Sequence, residues 1–331
     1  MRLTLPDLRG LTIAVVGDYV ADEYVYGETE RISREAPVPI VRYERSEMKL
    51  GAAGNVASNL RALGVGVRAV GMLGGDAWGR ALRRACRAAG IDVRGLLVES
   101  GIDTPVKTRV LAGALQTSRQ QLLRLDRGSA IDGAGARRLE GAVRKAVRGA
   151  DALVVSDYGI GNAGAWIAPL CARLARSMPV CVDSRYGLAA FRGVTLIKPN
   201  AAELAALAGD GLATPIDVLR AGRNALRRQR LEALLVTRGR DGMVLFERGS
   251  RPTTLQVSGP PEAVDVTGAG DTVLAVAAAV LAKTGDFKLA ARLANVAGGL
   301  VVQKRGTAVV SAQDIEEALE GSDGGWEASV R

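Results

Sequence analysis

The chain of 331 residues contains no histidine, and this absence excludes several classes of enzyme. Ser-His-Asp hydrolases, histidine-ligated zinc sites and HxGH nucleotidylyltransferases all require an imidazole. Acid–base chemistry must therefore fall to carboxylates, Lys, Tyr or Cys. Cysteine is also scarce: Cys86, Cys171 and Cys181 are far apart and odd in number, which argues against a disulfide framework or a metal cluster. Their apolar surroundings predict core residues.

Long hydrophobic runs are missing as well. The longest, Val273 to Ala282, has ten residues, about half of the ~20 that a membrane-spanning helix needs. The apolar stretch Leu11–Gly17 stops at Asp18 and does not resemble a signal peptide. We therefore expect a cytoplasmic protein that does not associate with membranes.

Aromatic residues make up only 4% of the chain, while the net charge is +9. The basic residues are scattered through predicted helices without interleaved aromatics, a pattern that argues against nucleic-acid binding. A basic surface that favours anionic small-molecule substrates is the better interpretation.

Short apolar runs alternate with stretches of helical periodicity along the chain. This alternation predicts an α/β fold whose mostly parallel sheet is covered by helices on both faces. The predicted strands are Thr12–Val16, Val67–Gly71, Ala152–Val155, Val180–Val182, Val194–Ile197, Ala233–Val236 and Met243–Phe246. The predicted helices are Gly54–Ala62, Gly79–Ala89, Arg137–Val147, Gly164–Arg176, Pro215–Gln229, Gly268–Ala282, Leu289–Val302 and Ala312–Leu319.

Two stretches, 19–45 and 104–126, depart from this pattern because they hold alternating β-rich segments with no helix between. We interpret them as a small sheet that projects from the main body and serves as a lid, an oligomer interface or both. No linker divides the chain, so residues 1–321 are predicted to form one domain. Residues 322–331 are predicted to be a flexible tail.

One glycine pattern resembles a dinucleotide-binding fingerprint. Gly159, Gly161 and Gly164 follow a predicted strand, and Asp183 comes about 20 residues later. With 41 glycines in the chain, however, roughly 0.6 matches are expected by chance. A dinucleotide-dependent oxidoreductase therefore remains a second hypothesis.

A stronger signal precedes the helix that holds the long apolar run. Gly268, Ala269 and Gly270 would let a ligand approach the unpaired amides of the helix N-terminus, forming an anion hole for a phosphate. The next residue, Asp271, could accept the proton of an attacking hydroxyl, or it could simply cap the helix. The helix N-terminus is expected to keep Asp271 ionised and only weakly basic.

The surrounding motifs decide between these interpretations. The segment Asp265–Asp271 and the segment Gly51–Asn55 resemble the two signatures of the ribokinase-like (PfkB-type) sugar kinases. Further elements resemble that family in order along about 300 residues: Gly17–Asp18, Ser156–Tyr158, Pro199–Glu203, Val236–Gly242 and Asn295–Gly298. The resemblance implies a three-layer αβα fold with a β-sheet lid, an ATP-dependent kinase and a homodimer formed through the lid.

A narrower resemblance, carried by Arg31–Pro39, Lys107–Leu111 and Gln120–Asp126, is to kinase domains that phosphorylate the anomeric position of D-glycero-D-manno-heptose 7-phosphate in lipopolysaccharide core synthesis. The chain departs from the usual motifs at three positions: Ala52 replaces a Gly, Ile160 replaces a residue that is often Lys, and Arg185 replaces a Lys. These departures leave another sugar or sugar phosphate open as the acceptor.

The resemblance also implies roles for individual residues. On the substrate side, Asp18, Gly51, Asn55 and Asp157 would hold sugar hydroxyls, and Lys107, Arg109 and Arg119 are candidates for the existing phosphate. On the nucleotide side, Thr237, Gly239, Gly242 and Asn295 would surround the base. Asn200 and Glu203 would organise Mg²⁺ through waters, and Asp265 and Thr267 resemble a monovalent-cation (K⁺) site.

Overall fold

The computed structural model describes residues 3–113, 119–129, 133–209, 211–260 and 262–321. The strands are β1 (Thr12–Gly17), β2 (Tyr19–Ile32), β3 (Pro39–Ala52), β4 (Gly66–Gly74), β5 (Asp92–Glu99), β6 (Val106–Gly113), β7 (Gln120–Arg127), β8 (Ala152–Asp157), β9 (Val180–Ser184), β10 (Leu196–Ile197), β11 (Ala233–Thr237), β12 (Met243–Glu247) and β13 (Thr253–Leu255). The α-helices are α1 (Ala53–Ala62), α2 (Ala77–Ala88), α3 (Gly133–Ala146), α4 (Ala168–Leu174), α5 (Ala201–Ala208), α6 (Pro215–Arg228), α7 (Ala269–Thr284), α8 (Phe287–Val301) and α9 (Ala312–Glu320). The tail 322–331 and the lid residues 114–118 lie outside the described residues.

The central sheet has the strand order β13-β12-β11-β10-β9-β8-β1-β4-β5. It is parallel from β5 to β11, and β12 and β13 run antiparallel at one edge. Alternate residues of β1 serve two separate cores: Ile13 and Val15 pack with α1, α7 and α8, whereas Ala14 and Val16 pack with α3 to α6. The predicted α/β fold, with a mostly parallel sheet covered on both faces, is therefore confirmed.

A second sheet with the order β3-β2-β6-β7 holds the two stretches predicted to form a lid. Its register places Asp22, Lys107 and Asp126 abreast, and Tyr24, Arg109 and Arg124 two residues farther along. Because residues two apart share a face, these six lie on one side, here called the inner face. Strand β3 continues to Ala52, beyond the predicted end at residue 45, and leads directly into α1.

Several elements differ from the sequence-based expectation. The helix predicted from Gly164 begins only at Ala168, because Gly159, Gly161 and Gly164 take positive φ angles of 80°, 107° and 150°. Strands β5 and β13 and helix α5 were not predicted; Arg94 and Gly95 interrupt the apolar pattern of β5. The three cysteines are buried and unpaired, as expected of core residues. Within the described residues, no helix is both long and apolar enough to span a bilayer.

Candidate active site

The candidate site lies where the parallel strands of the central sheet end. The carboxyl ends of such strands form the crevice in which open α/β sheets bind ligands. Five neighbouring strands contribute residues at or just after their ends: Asp18 (β1), Asp157 and Tyr158 (β8), Asp183 (β9), Lys198 (β10) and Thr237 (β11). The N-terminus of α7 faces this edge, since Asp271 contacts Tyr158.

Asp271 is the third residue of α7 and is only 3% exposed. Its Oδ2 accepts a hydrogen bond of 2.9 Å from Nδ2 of Asn55, and its Oδ1 accepts one of 2.9 Å from the hydroxyl of Tyr158. Gly268, three residues before Asp271, has a φ of 81°, and a Cβ there would lie 2.5 Å from Nδ2 of Asn55. Only glycine therefore fits at this position. The carboxylate thus faces side chains of the site, which favours a chemical role over helix capping.

The environment of Asp271 sets its protonation. Burial raises the pKa of this carboxyl group to about 7, and the nearby charge of Asp183 acts in the same direction. The hydrogen bonds from Asn55 and Tyr158 and the charge of Lys198 oppose the increase in pKa. This pKa is higher than the expectation of a weakly basic Asp271 implies, because desolvation destabilises the buried carboxylate. A base whose pKa lies near neutral pH is well suited to proton transfer.

The residues predicted to surround the nucleotide base lie together. Thr237, Gly239, Gly242 and Asn295 line a cavity of about 200 Å³, and Gly270 of the predicted anion hole lines the same cavity. Its other walls are largely apolar: Met243, Val257, Val266, Val273 and Val302. Asn295 is buried and donates to the carbonyl oxygen of Gln256 at 2.6 Å. A cavity of this kind suits a flat heterocycle next to a phosphate site.

Asn200 and Glu203 form the capping box of α5. The Asn200 side chain accepts from the Glu203 amide, and Oε2 of Glu203 accepts from the Asn200 amide, both at 2.8 Å. Burial raises the pKa of Glu203, and the negative charge of Asp183 adds to this increase. The neighbouring carboxylates of Glu203 and Asp183 fit the preference of Mg²⁺ for few protein ligands, several waters and substrate phosphates.

Asp18 and Asp157 shape the loop that follows β8. The Asp18 carboxylate, fully buried, accepts from the amides of Tyr158, Ile160 and Asn162 at 2.8, 3.1 and 3.0 Å. Asp157 accepts from the Ser184 hydroxyl at 2.6 Å and the Gly159 amide at 2.9 Å. Three amides of the proposed dinucleotide loop, those of Gly159, Ile160 and Asn162, are therefore bonded to Asp157 or Asp18, which disfavours pyrophosphate binding there. Sugar contacts by Asp18 and Asp157 stay predictions.

Asp22 is a site residue that the sequence analysis missed. A Cβ on Gly51 would lie 2.4 Å from its Oδ2, its Oδ1 pairs with Nη1 of Arg109 at 2.7 Å, and the Thr307 hydroxyl donates to Oδ2 at 3.0 Å. Asp22 lies outside every motif used in the sequence analysis, so no local signal marked it. Arg109, a candidate phosphate contact, is thus a partly buried partner of Asp22.

Positive charge gathers in a second cavity of about 340 Å³, which we call the basic cavity. It is lined by Lys107, Arg124, Arg127, Arg185 and Tyr158, among others. Nζ of Lys107 lies 4.6 Å from the centre of the Tyr158 ring, and burial lowers the pKa of this lysine. Arg124 and Arg127 were not predicted, and Arg119 lies elsewhere on the lid, paired with Glu44.

The predicted monovalent-cation loop is tied together by Asp265. Its Oδ1 accepts from the Thr267 amide at 2.9 Å and its Oδ2 from the Gly306 amide at 2.8 Å. Burial acts to raise the pKa of Asp265, but the hydrogen bonds from Thr267 and Gly306 act to lower it, and the pKa is lowered overall. Among the described residues, no group of three or more acidic or cysteine side chains is placed to hold a metal ion. A role of Asp265 and Thr267 in binding K⁺ stays a prediction.

Comparisons with known proteins agree with this geometry. A model of the pfkB family of carbohydrate kinases matches residues 12–314. The chain is 38% identical to the bifunctional protein HldE of Hahella chejuensis over 325 residues, and 39% identical to that of Geobacter sulfurreducens over 322. These alignments cover 98% and 96% of the chain but only 66% and 64% of the relatives, so the chain spans about two thirds of their length.

Two solved structures share the fold at low sequence identity. Arabidopsis thaliana ribokinase complexed with ribose and ATP superposes with a TM-score of 0.73 at 20% identity, covering 95% of this chain and 100% of that one. Escherichia coli phosphofructokinase-2 in complex with potassium superposes with a TM-score of 0.76 at 20% identity, covering 94% and 98%. The predicted ribokinase-like architecture is thereby confirmed.

Proposed function

Because the chain belongs to the pfkB family of carbohydrate kinases, we propose that it transfers the γ-phosphoryl group of ATP to the anomeric hydroxyl of D-glycero-D-manno-heptose 7-phosphate. An ATP-dependent sugar kinase is the activity common to the family and its relatives. The choice of sugar rests on the resemblance to heptose 7-phosphate kinase domains and on the HldE relatives.

The observation that carries the proposal is that two neighbours of Asp271 line two different cavities. The preceding residue, Gly270, lines the apolar cavity, and Tyr158, which donates to Asp271, lines the basic cavity. ATP in the first cavity would present its γ-phosphate to the N-terminus of α7. A sugar phosphate reaching from the basic cavity would present its hydroxyl to the same carboxylate.

In this arrangement Asn55 and Tyr158 hold the Asp271 carboxylate, which accepts the proton of the attacking hydroxyl. The amides of Gly268 and Gly270 would stabilise the charge on the transferred phosphoryl group. The amide of Ala269, also predicted to form the anion hole, instead donates to the carbonyl oxygen of Val266 at 3.2 Å. Mg²⁺ bound with ATP would neutralise phosphate charge, with Asn200 and Glu203 holding its waters.

The basic cavity supports a substrate that already carries a phosphate. Lys107, Arg124 and Arg185 present an ammonium and two guanidinium groups near Tyr158, and guanidinium groups match phosphate geometry. Arg185 stands where the family has Lys, so the side chain at this position keeps its positive charge but has the shape of a guanidinium group instead of an ammonium group. Lys107 is our principal candidate for the phosphate contact, because Arg124 is paired with Asp126.

The test is an ADP-release assay over heptose 7-phosphate, unphosphorylated heptose, fructose 6-phosphate, ribose and common hexoses. We expect the highest kcat/KM with heptose 7-phosphate. Lys107→Met should raise KM for that substrate at least tenfold and leave KM for ATP within about twofold, because it removes a contact made only by the sugar phosphate. Lys288→Met on the exposed surface of α8 is the matched control and should change neither. Preference for an unphosphorylated sugar, or equal effects on both KM values, would contradict the proposal.

A further inference from the structure

The basic cavity lies between the lid and the main body, and the two contribute different side chains to it. The lid strands β6 and β7 provide the cations Lys107, Arg124 and Arg127. The loops that follow β8 and β9 provide Ile160 and Tyr186. The cavity therefore has a cationic side on the lid and, on the main body, a side that includes an aliphatic and an aromatic group.

Tyr186 is fixed in position although its side chain is largely open to solvent. The residue is 76% exposed, which in a single apolar side chain would need no explanation. However, a Cβ built on Gly159 would lie 2.7 Å from Cδ2 of Tyr186, so the ring lies directly on the backbone of this glycine. The guanidinium carbon of Arg185 lies 5.5 Å from the centre of the ring, within the range of a cation–π contact. A ring that is held in this way at the wall of a cavity is a preformed contact surface for a ligand.

This contact gives a role to the first glycine of the pattern that resembles a dinucleotide-binding fingerprint. Gly159 has a φ of 80°, a conformation that favours glycine. A side chain at this position would also displace the ring of Tyr186. The space that the glycine leaves open is therefore used by the wall of the basic cavity.

Tyr186 is connected to the reacting centre through a short series of contacts. The hydroxyl of Tyr158 donates to Asp271 at 2.9 Å, and Nζ of Lys107 lies 4.6 Å from the centre of the Tyr158 ring. Gly159 follows Tyr158 in the chain and carries the ring of Tyr186. A sugar phosphate with its hydroxyl at Asp271 and its phosphate at Lys107 would therefore have its carbon skeleton close to Tyr186.

We propose that Tyr186 is a specificity-determining residue whose ring contacts the carbon skeleton of a phosphorylated acceptor, while the cations of the lid bind its phosphate. This inference rests on the kinase reaction proposed above. The C–H groups of a sugar can pack against an aromatic ring, whereas a phosphate requires charged donors. Ile160, where the family often has Lys, places an apolar side chain instead of a further cation on this side of the cavity. The acceptor thus binds with its phosphate toward the lid and its uncharged skeleton toward the main body.

The test compares Tyr186→Ala with Tyr186→Phe, using the phosphorylated sugar of the ADP-release panel that the parent turns over fastest. Tyr186→Ala should raise KM for this acceptor at least fivefold and leave kcat and KM for ATP within about twofold, because the contact is the same in the ground state and the transition state. Tyr186→Phe keeps the ring and should restore most of the affinity for the acceptor. Ile216→Ala, which truncates a 67% exposed side chain near the start of α6, is the matched control and should change none of these constants.

The division between KM and kcat separates a substrate contact from a structural role. A distorted loop after β8 would displace Tyr158 from Asp271 and lower kcat, whereas loss of a substrate contact would not. Calorimetric titration without turnover gives a second readout: Tyr186→Ala should lose at least fivefold in affinity for the acceptor and keep the parent affinity for ADP.

Three results would overturn the inference while the parent remains an active kinase. They are a folded Tyr186→Ala variant whose KM for the acceptor rises less than fivefold, a fall in kcat as large as the rise in KM, and a Tyr186→Phe variant as impaired as Tyr186→Ala. A fourth is a lower mass of Tyr186→Ala by light scattering, which would assign the ring to a contact between subunits. A parent that releases ADP with no phosphorylated sugar of the panel would contradict the proposed function itself, and the inference with it.

Discussion

At the scale of single residues, the substitution Asp271→Asn separates catalysis from helix capping. Asn keeps the shape and can still accept a hydrogen bond from Asn55 or Tyr158, but it cannot take a proton. We expect the variant to fold, to bind ATP within a few-fold of the parent, and to lose about 10²–10⁴ in kcat. A purified variant that turns over at more than a tenth of the parent rate would exclude Asp271 as the base.

The raised pKa of Asp271 adds two pH measurements to this experiment. In the parent, kcat/KM should rise with pH up to about 7 and then level, because the free enzyme must lose the Asp271 proton. The free energy of unfolding, in contrast, should decrease as pH rises. The folded state holds this proton up to about pH 7, whereas the unfolded chain releases it near 3.8. The contribution of the Asp271 proton to the free energy of unfolding is therefore complete below about pH 4 and is lost as pH rises toward 7.

Asp271→Asn has no such titration. The stability of the variant relative to the parent should increase as pH rises from 4 to 7, measured by urea unfolding at each pH. A stability difference that does not change with pH would show that burial does not raise the pKa of Asp271.

The sequence identified Asp271 and its glycines because a helix N-terminus, small residues and a carboxylate are all local in the chain. It did not predict the contacts of Asp22, Tyr158 or Lys198. Lys198 meets Asp183 and Gly270 only after β9, β10 and α7 assemble. Single residues outside a glycine-rich signature carry no local mark of such long-range contacts.

At the scale of elements, the start of α1 contains backbone strain that a substitution can relieve. Ala52 has a φ of 54° and a ψ of −124°, a region that L-residues other than glycine rarely adopt, and the family has glycine there. Such a conformation costs about 1–3 kcal/mol in an L-residue. Glycine relieves this strain but destabilises the folded state by about 0.5–1 kcal/mol, because it gives the unfolded chain more conformational freedom. We expect Ala52→Gly to raise the free energy of unfolding by about 1 kcal/mol, measured by urea denaturation.

The neighbouring substitution Ala53→Gly provides the control for Ala52→Gly. Ala53 is buried and is the first residue of α1, so glycine there should reduce the free energy of unfolding by about 0.5–1 kcal/mol. If both variants lose stability, Ala52 is not strained.

Most elements of the central sheet could be predicted because buried parallel strands appear as continuous apolar runs between amphipathic helices. The exceptions have physical reasons. Strand β5 lies at the sheet edge, where an exposed position admits Arg94, and α5 has only eight residues. The helix predicted after β8 starts late because the glycine loop is held in an extended turn by Asp18.

At the scale of the whole molecule, the lid sheet has two different faces. The inner face carries the charged residues Asp22, Lys107 and Arg109, whereas the register places Val25, Val110 and Leu123 together on the opposite, outer face. Leu123 is 58% exposed, and Leu125, two residues farther along β7, is 50% exposed. Every residue of β7 is exposed in the single chain. An apolar strip at an uncovered sheet edge is unusual in a monomer.

We therefore expect a homodimer in which the outer faces of two lid sheets cover each other. Light scattering at micromolar concentration should give twice the mass of one chain. Leu123→Lys/Leu125→Lys should give the monomer mass without loss of cooperative melting, because both side chains point away from the central cores. Val98→Lys is the matched control: Val98 is 43% exposed on the edge strand β5, and its substitution should leave the dimer intact. A monomeric parent protein, or dissociation by Val98→Lys alone, would place the apolar contact elsewhere than on the lid.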